Sequence, residues 1–314
     1  MKNSFYSSFE NKHRGSTDSI KKRLEVYIPF ITPLLNIYST PIAIDLGCGR
    51  GEWLSLVQDL GFDAHGVDLD EGMLSYCYDL NLNVENKDIL SYLQTIPDES
   101  ISVVSSFHVI EHIGFDNLKE LVKEAFRVLK PGGLLIMETP NAENIIVGTN
   151  NFFLDPTHDK PIPSTLLTFL TEYIGFERSK ILRLQENKQL YSPENITFLS
   201  VLNGVSPDYS VIAQKNAENS ILGQFESEFS KEFGLSIDVL AEHYDNNINE
   251  KLNKLRNSIL ESNNEVVQIK DEVVQIKNAH AKLQEDYNKI RKILAPIFWI
   301  KSKFNWFYEF LGFK

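Results

Sequence analysis

The residues with the most chemical potential sit in three groups. The first is Asp45-Leu46-Gly47-Cys48-Gly49-Arg50-Gly51, where an acid is followed by glycine at every second position. The second is His108-Val109-Ile110-Glu111-His112. The third is Asp155-Pro156-Thr157-His158, inside a long stretch rich in aromatics and proline. Imidazoles and carboxylates are the usual carriers of general acid–base work, and a glycine loop brings backbone N–H groups close to a ligand.

The elements that would hold these groups follow from the pattern around them. Ile42-Ala43-Ile44 runs straight into Asp45, which reads as a buried strand. Glu52 opens an amphipathic helix whose apolar side is Trp53, Leu54, Leu56, Val57 and Leu60, ending at Gly61. The glycines therefore fall at a strand-to-helix turn, where doubly wound sheets bind ligands. Neither a Gly-x-Gly-x-x-Gly dinucleotide spacing nor a Gly-Lys-Ser/Thr P-loop is present. A carboxylate in the loop would repel a pyrophosphate and suit a cation.

Further strands are expected at Ala64 to Asp70, Asn83 to Leu90, Ile101 to Phe107, Leu134 to Glu138, Ile181 to Leu184 and Tyr209 to Ala213. Asp68 lies about twenty residues past the loop, where a ribose-binding acid belongs in such folds. Asp70 fits the duty of capping the next helix better than Asp68 does. Leu69 and Met73 could flank an adenine ring, and core packing would also explain them. Asp45, Asp68 and Asp88 then end three successive strands and line one edge of a sheet.

On these residues the chain resembles the class I methyltransferases that bind S-adenosylmethionine, whose first motif is the Asp-x-Gly-x-Gly-x-Gly found at Asp45 to Gly51. The Lys-Pro-Gly-Gly turn at Lys130 to Gly133 is another of their habits. The expected fold is α/β, a Rossmann-like seven-stranded sheet followed by a long C-terminal coiled coil. The resemblance implies S-adenosyl-L-methionine as cofactor, bound by Asp45, Gly47, Gly49, Asp68, Leu69, Asp88, Ile89 and Phe107, with Asp88 on the adenine amino group.

His108 to His112 formally matches His-x-x-Glu-His, an inverted zinc-protease signature. That reading fails because the motif there lies inside a helix, whereas His108 falls where a strand ends. No metal is assigned, and a divalent ion on His108, Glu111 and His112 is the minor alternative. A hydroxyl acceptor needs a base, since its pKa is far above neutral. His158 is the first candidate, with Asp155 or Glu138 to orient it, and His108 stands second. Phe152 and Phe153, with Asn, Asp and His nearby, would suit a sugar.

The N-terminal segment narrows the resemblance. Phe5-Tyr6, Phe9-Glu10, Arg14-Gly15-Ser16, Glu138-Thr139-Pro140-Asn141 and Asp155 to His158 together look like the methyltransferase half of bacterial O-antigen chain-terminating enzymes. In that family, methylation of the non-reducing end stops polymerisation. Tyr6 and Arg14 would then belong to a segment covering the cofactor. Residue physics alone favours a capping helix over residues 1–40, with Ile20, Leu24, Tyr27 and Ile28 at helical spacing and Pro29 closing it. Some members also carry a kinase domain, for which this chain shows no motif. A sugar hydroxyl is therefore the expected acceptor rather than a phosphate.

Composition bounds the rest. The 314 residues carry a net charge of −12, which argues against a nucleic-acid partner. No secretory or spanning segment is read, and two cysteines fit a reducing, cytoplasmic setting. The methyltransferase domain is expected over 41–215 and a linker over 216–244. Over 245–294, Glu265-Val266-Val267-Gln268-Ile269-Lys270 repeats seven residues later as Glu272-Val273-Val274-Gln275-Ile276-Lys277. Leu252, Ile259, Val266 and Val273 fall at a positions and Leu255, Ile269 and Ile276 at d, a coiled-coil pattern leaning to a homotrimer. Residues 295–314, with Phe298, Trp299, Phe304, Trp306 and Phe307 among lysines, suit a membrane interface or a partner groove. The resemblance favours docking on a polymerising glycosyltransferase at the inner membrane face, with the polysaccharide as acceptor.

Overall fold

The computed structural model describes residues 15–312. They fall into two units, one ending at Asn247 and the other starting at Ile248. Tyr6 and Arg14, and with them the cofactor-covering role expected of them, lie outside the described residues.

The first unit is built on seven strands: β1 (Ile42–Leu46), β2 (Asp63–Asp68), β3 (Asn83–Asn86), β4 (Ile101–Phe107), β5 (Leu129–Pro140), β6 (Arg178–Leu184) and β7 (Asp208–Gln214). Their order is β3-β2-β1-β4-β5-β7-β6. The first five pair in parallel. β7 runs antiparallel to both neighbours, β5 and β6. This reversal puts the start of β7 on the edge where β4 and β5 end, so that Asp208 pairs across from Pro140.

Helices cover both faces. On one, helix Phe115–Val128 buries Leu118, Leu121, Val122 and Ala125 against the sheet, the stripe its sequence spacing dictates. On the other, Trp53, Leu54 and Val57 of helix Glu52–Leu60 meet Tyr27, Phe30, Ile31 and Leu34. Those four residues are fully buried. The segment around them is therefore core, and its helix does not stop at Pro29. Helix Thr17–Leu24 gives way to a turn, and Pro29 sits in the first turn of a second helix, Ile28–Ile37. There a missing N–H costs nothing, because the first N–H groups of a helix have no partner within it.

Two further differences have simple causes. Lys130 to Gly133 was expected to be a turn before the fifth strand, but β5 begins at Leu129 and contains it. Ile101 pairs with Leu129 and Val103 with Leu134, so the Pro-Gly-Gly stretch is a bulge. The Gly132 N–H donates to Lys215 O and the Lys215 N–H to Gly133 O, which ties the bulge to the end of β7. Residues 216–244, expected as a linker, carry Phe225, Leu235 and Leu240 in buried positions. Leu235 and Leu240 close a small cluster with Leu190, Ile196, Val201 and Val205.

A single helix of 74 residues runs from Ile237 to Phe310 and includes Pro296. It absorbs both the heptad stretch and the aromatic tail. Its heptad residues, among them Leu252, Ile259, Val266, Ile269, Val273 and Ile276, are exposed. Among the described residues no helix is long and apolar enough to cross a membrane.

Candidate active site

The site lies along the carboxyl edge of β1, β2, β4 and β5. After β1 the chain turns at once: the Gly47 and Cys48 N–H groups both donate to Val67 O at 2.8 and 3.0 Å. Gly47, Gly49 and Gly51 all hold positive φ, at 76°, 55° and 77°. A Cβ on Gly47 would stand 2.3 Å from Val109 Cγ2, so glycine is required there by space as well as by backbone.

Asp45 is buried at the end of β1, where Ser105 Oγ of β4 donates to its Oδ1 at 2.7 Å. Asp68 ends β2, and its Oδ2 accepts the Gly49 N–H at 2.9 Å while Oδ1 accepts the Asp70 N–H at 2.8 Å. A carboxylate offers about four lone-pair positions, so acceptor capacity is left for a ligand diol. Asp70 caps helix Glu71–Asp79 through the N–H groups of Gly72 and Met73, the duty its position suggested. The third strand stops at Asn86 rather than running to Leu90, so Asp88 does not end it; it caps helix Ile89–Leu93 by accepting the Ser91 N–H at 2.9 Å. Leu69 is 71% exposed, whereas Met73 and Ile89 are buried. Phe107 packs its ring against Tyr27 and Trp53, with centroids 5.3 and 5.4 Å away.

The edge beyond β4 gathers charge. His108 takes φ +55° directly after the strand, and its N–H donates to Glu138 O at 2.9 Å. Its ring stands between two carboxylates, with Nδ1 3.3 Å from Glu111 Oε1 and Nε2 3.5 Å from Glu138 Oε1. Glu111 and Glu138 are buried, while the His108 side chain keeps 45% of its surface. Burial opposes the imidazolium, but the two carboxylates and the nearby Asp208 overcome it and hold the ring well above the ordinary imidazole range. Glu138 also accepts the Tyr27 hydroxyl and, at 3.3 Å, the Gln185 amide. Burial pushes the Asp208 carboxyl up to about 6, against the pull of His108 and with the push of Glu138 and Glu111.

The loop after β5 packs against this edge. The Asp159 N–H donates to Glu111 O at 2.8 Å, and Tyr209 Oη donates to Ile162 O at 2.6 Å. Asp155 Oδ1 accepts both the Thr157 N–H and hydroxyl, at 2.8 and 2.6 Å. Phe152 is buried against the His158 ring, centroids 4.5 Å apart, while Phe153 is 59% exposed. His158 was expected to be oriented by Asp155 or Glu138. Its Nδ1 instead bonds the Phe152 carbonyl at 2.5 Å, and Asp155 Oδ2 is 4.0 Å from Nε2. Glu138 belongs to His108 and Tyr27.

Tyr27, Gln185 and Asp208 carry no motif. Only an acid placed just before the last strand hinted at Asp208, and the antiparallel reversal of β7 is what brings it to the edge.

The fold and the loop define an S-adenosylmethionine-dependent methyltransferase domain. Residues 20–196 match the family model described as a methyltransferase domain, and the chain belongs to that family. A probable S-adenosylmethionine-dependent methyltransferase of Mycolicibacterium smegmatis is 33% identical over 134 residues, 43% of this chain and 51% of that protein. The ubiquinone biosynthesis O-methyltransferase of Methylococcus capsulatus is 30% identical over 105 residues, 32% of this chain and 43% of that protein. The chain spans about half the length of the curated relatives it matches. The crystal structure of a SAM-dependent methyltransferase from Archaeoglobus fulgidus aligns with a TM-score of 0.60 at 32% identity, covering 68% of this chain and all of that one.

The residues fit the cofactor of this family. The edge presents Asp45 and Asp68 beside a loop of positive-φ glycines, a donor set suited to a ligand with a cationic group and a diol. Asp68 is already aimed at the loop by its bond to Gly49.

Proposed function

We propose that the domain transfers a methyl group from S-adenosylmethionine to a hydroxyl. The observation that carries this reading is the His108–Glu138–Asp208 cluster, in which one ligand-capable atom from each residue lies within 4.8 Å of the others. When bound, the cofactor supplies an electrophilic methyl on a sulfonium. The acceptor oxygen forms the new C–O bond as the C–S bond breaks, and the hydroxyl proton must go to the protein. Both nitrogens of His108 face carboxylates, so this ring holds its protons and offsets the surrounding negative charge. Asp208, lifted to about 6, is ionised at neutral pH and is matched to accept the proton. That assigns the base to Asp208 in place of His158 or His108. Glu138, steadied by Tyr27 and Gln185, positions His108.

The acceptor we favour is the terminal sugar of a bacterial surface polysaccharide, so that methylation ends chain growth. Support comes from the resemblance of the N-terminal segment and the Asp155–His158 loop to chain-terminating enzymes, and from the long helix, whose heptad seam suits a trimeric coiled-coil spacer. The aromatic tail would dock on a glycosyltransferase or at a membrane surface. A small-molecule acceptor is the second reading, favoured by the likeness to the ubiquinone biosynthesis O-methyltransferase.

Mass spectrometry of surface glycans from cells with and without the gene tests the first reading. A terminal sugar lighter by one methylene without the gene supports it. Unchanged glycans, with methyl transfer by the purified protein to a phenolic or small hydroxylated compound, replace it with the second. Asp208→Asn should lower kcat sharply while leaving cofactor affinity in place, and full activity in that variant would remove Asp208 as the base.

A further inference from the structure

Beside the acid–base cluster lies a second set of groups with a different character. One ligand-capable atom each from Glu111, His112 and His158 falls within 4.8 Å of the others. The two imidazole rings lie 4.6 Å apart, centroid to centroid. Hydrogen bonds fix the tautomer of both. The Phe152 carbonyl can only accept, so His158 Nδ1, 2.5 Å away, carries the proton. Thr157 gives its hydroxyl proton to Asp155 Oδ1 at 2.6 Å, so its contact with His112 Nδ1 at 2.9 Å has the ring donating. On each ring Nε2 is the nitrogen that these bonds leave for a ligand.

Glu111 completes the set. Its Oε2 accepts the Thr139 hydroxyl at 2.9 Å. Its Oε1 is buried and faces His108 Nδ1 at 3.3 Å, its ion partner.

From this arrangement we infer that Glu111, His112 and His158 form a binding site for one divalent transition-metal ion. Neutral imidazole Nε2 is a common metal ligand, and ligating histidines hand their other N–H to a carbonyl or similar acceptor, as both rings do here. Two imidazoles and one carboxylate suit zinc, iron, cobalt or manganese. Ligand atoms about 2 Å from one ion stand roughly 3–4 Å apart, so only a small closure is needed. Three protein ligands leave a position open, the pattern of a catalytic ion rather than a structural one. The neighbouring His108–Glu138–Asp208 set is a poorer site, because His108 has both nitrogens turned to carboxylates. If the hydroxyl-acceptor reading holds, a bound ion would grip the acceptor oxygen and lower its pKa, and Asp208 would take the proton. The metal site itself does not depend on that reading.

The test uses chelator-stripped full-length protein without cofactor or acceptor, titrated with Co2+ and Mn2+ by calorimetry. One ion per chain is expected. Glu111→Gln, His112→Gln and His158→Gln should each weaken binding by at least about 100-fold, and Thr157→Val by about 10–100-fold through loss of ring orientation. His65→Gln, remote at the start of the sheet, should bind as wild type does. Wild-type protein also answers directly: Cu2+-loaded protein should show two imidazole nitrogens in pulsed EPR, a readout that needs no variant to fold. No binding by wild type, binding untouched by the substitutions, or a single-imidazole spectrum would each overturn the site. Binding with no methyl transfer to any hydroxyl would instead leave the site standing and sink the acceptor reading.

Discussion

The Asp68 carboxylate accepts the backbone N–H of Gly49 at 2.9 Å, joining the end of β2 to the middle of the glycine loop. One side chain thus shapes the loop and offers its remaining lone pairs to a ligand. Asp68→Ala should weaken S-adenosylmethionine or S-adenosylhomocysteine binding by about 10–100-fold, the worth of a charge-assisted hydrogen bond. Calorimetric titration measures it, and affinity within a factor of two of wild type would remove Asp68 from the cofactor site.

Gly47 meets two demands at once, a φ of +76° and a Cβ position 2.3 Å from Val109 Cγ2. Gly47→Ala should cost about 3 kcal/mol of stability from strain and overpacking together. Adding Val109→Ala should return only part of it, because the backbone strain stays. Urea unfolding of the three variants gives the comparison, and complete rescue would show that space alone matters.

Asp208 makes stability depend on pH. Burial raises its carboxyl to about 6 from an ordinary 3.8, so the folded chain holds that proton more tightly than the unfolded one. The contribution is fully present below about pH 4 and is lost as pH rises through about 6. Wild type should therefore lose stability relative to Asp208→Asn across that window. Melting temperatures of both proteins at half-unit steps check this, and parallel curves would contradict it.

We propose that the exposed heptad seam carries self-association. Ile269→Lys with Ile276→Lys places charges at two d positions and should convert an oligomer, expected as a trimer, to a monomer in sedimentation equilibrium. Melting of the methyltransferase domain should be unchanged, since neither residue belongs to its core clusters. An unaltered mass would show that this seam does not hold chains together.

Much of this molecule was legible in its sequence because the signals were local. Period and punctuation placed the strands and the amphipathic helices, and glycine at alternate positions marked the loop. The seven-residue repeat announced the long helix. Other features escaped for equally physical reasons. Lys130 to Gly133 reads as a turn between helix and strand, yet the sheet absorbs it as a bulge when its neighbours pin both sides. Residues 216–244 looked like a linker because their apolar residues are sparse, and only the packed structure shows Phe225, Leu235 and Leu240 inside.

The chain alone determined that Asp45 and Asp68 stand at strand ends, because that follows from the apolar run and turn chemistry along the backbone. The tertiary structure decided which groups meet. Asp208 reaches His108 only because β7 reverses between β5 and β6, and Tyr27 reaches Glu138 across 111 residues. His112 and His158 meet partners, Thr157 and the Phe152 carbonyl, that the loop folds against them. Such contacts are fixed by the register of a sheet and the docking of a loop, which no local spacing encodes.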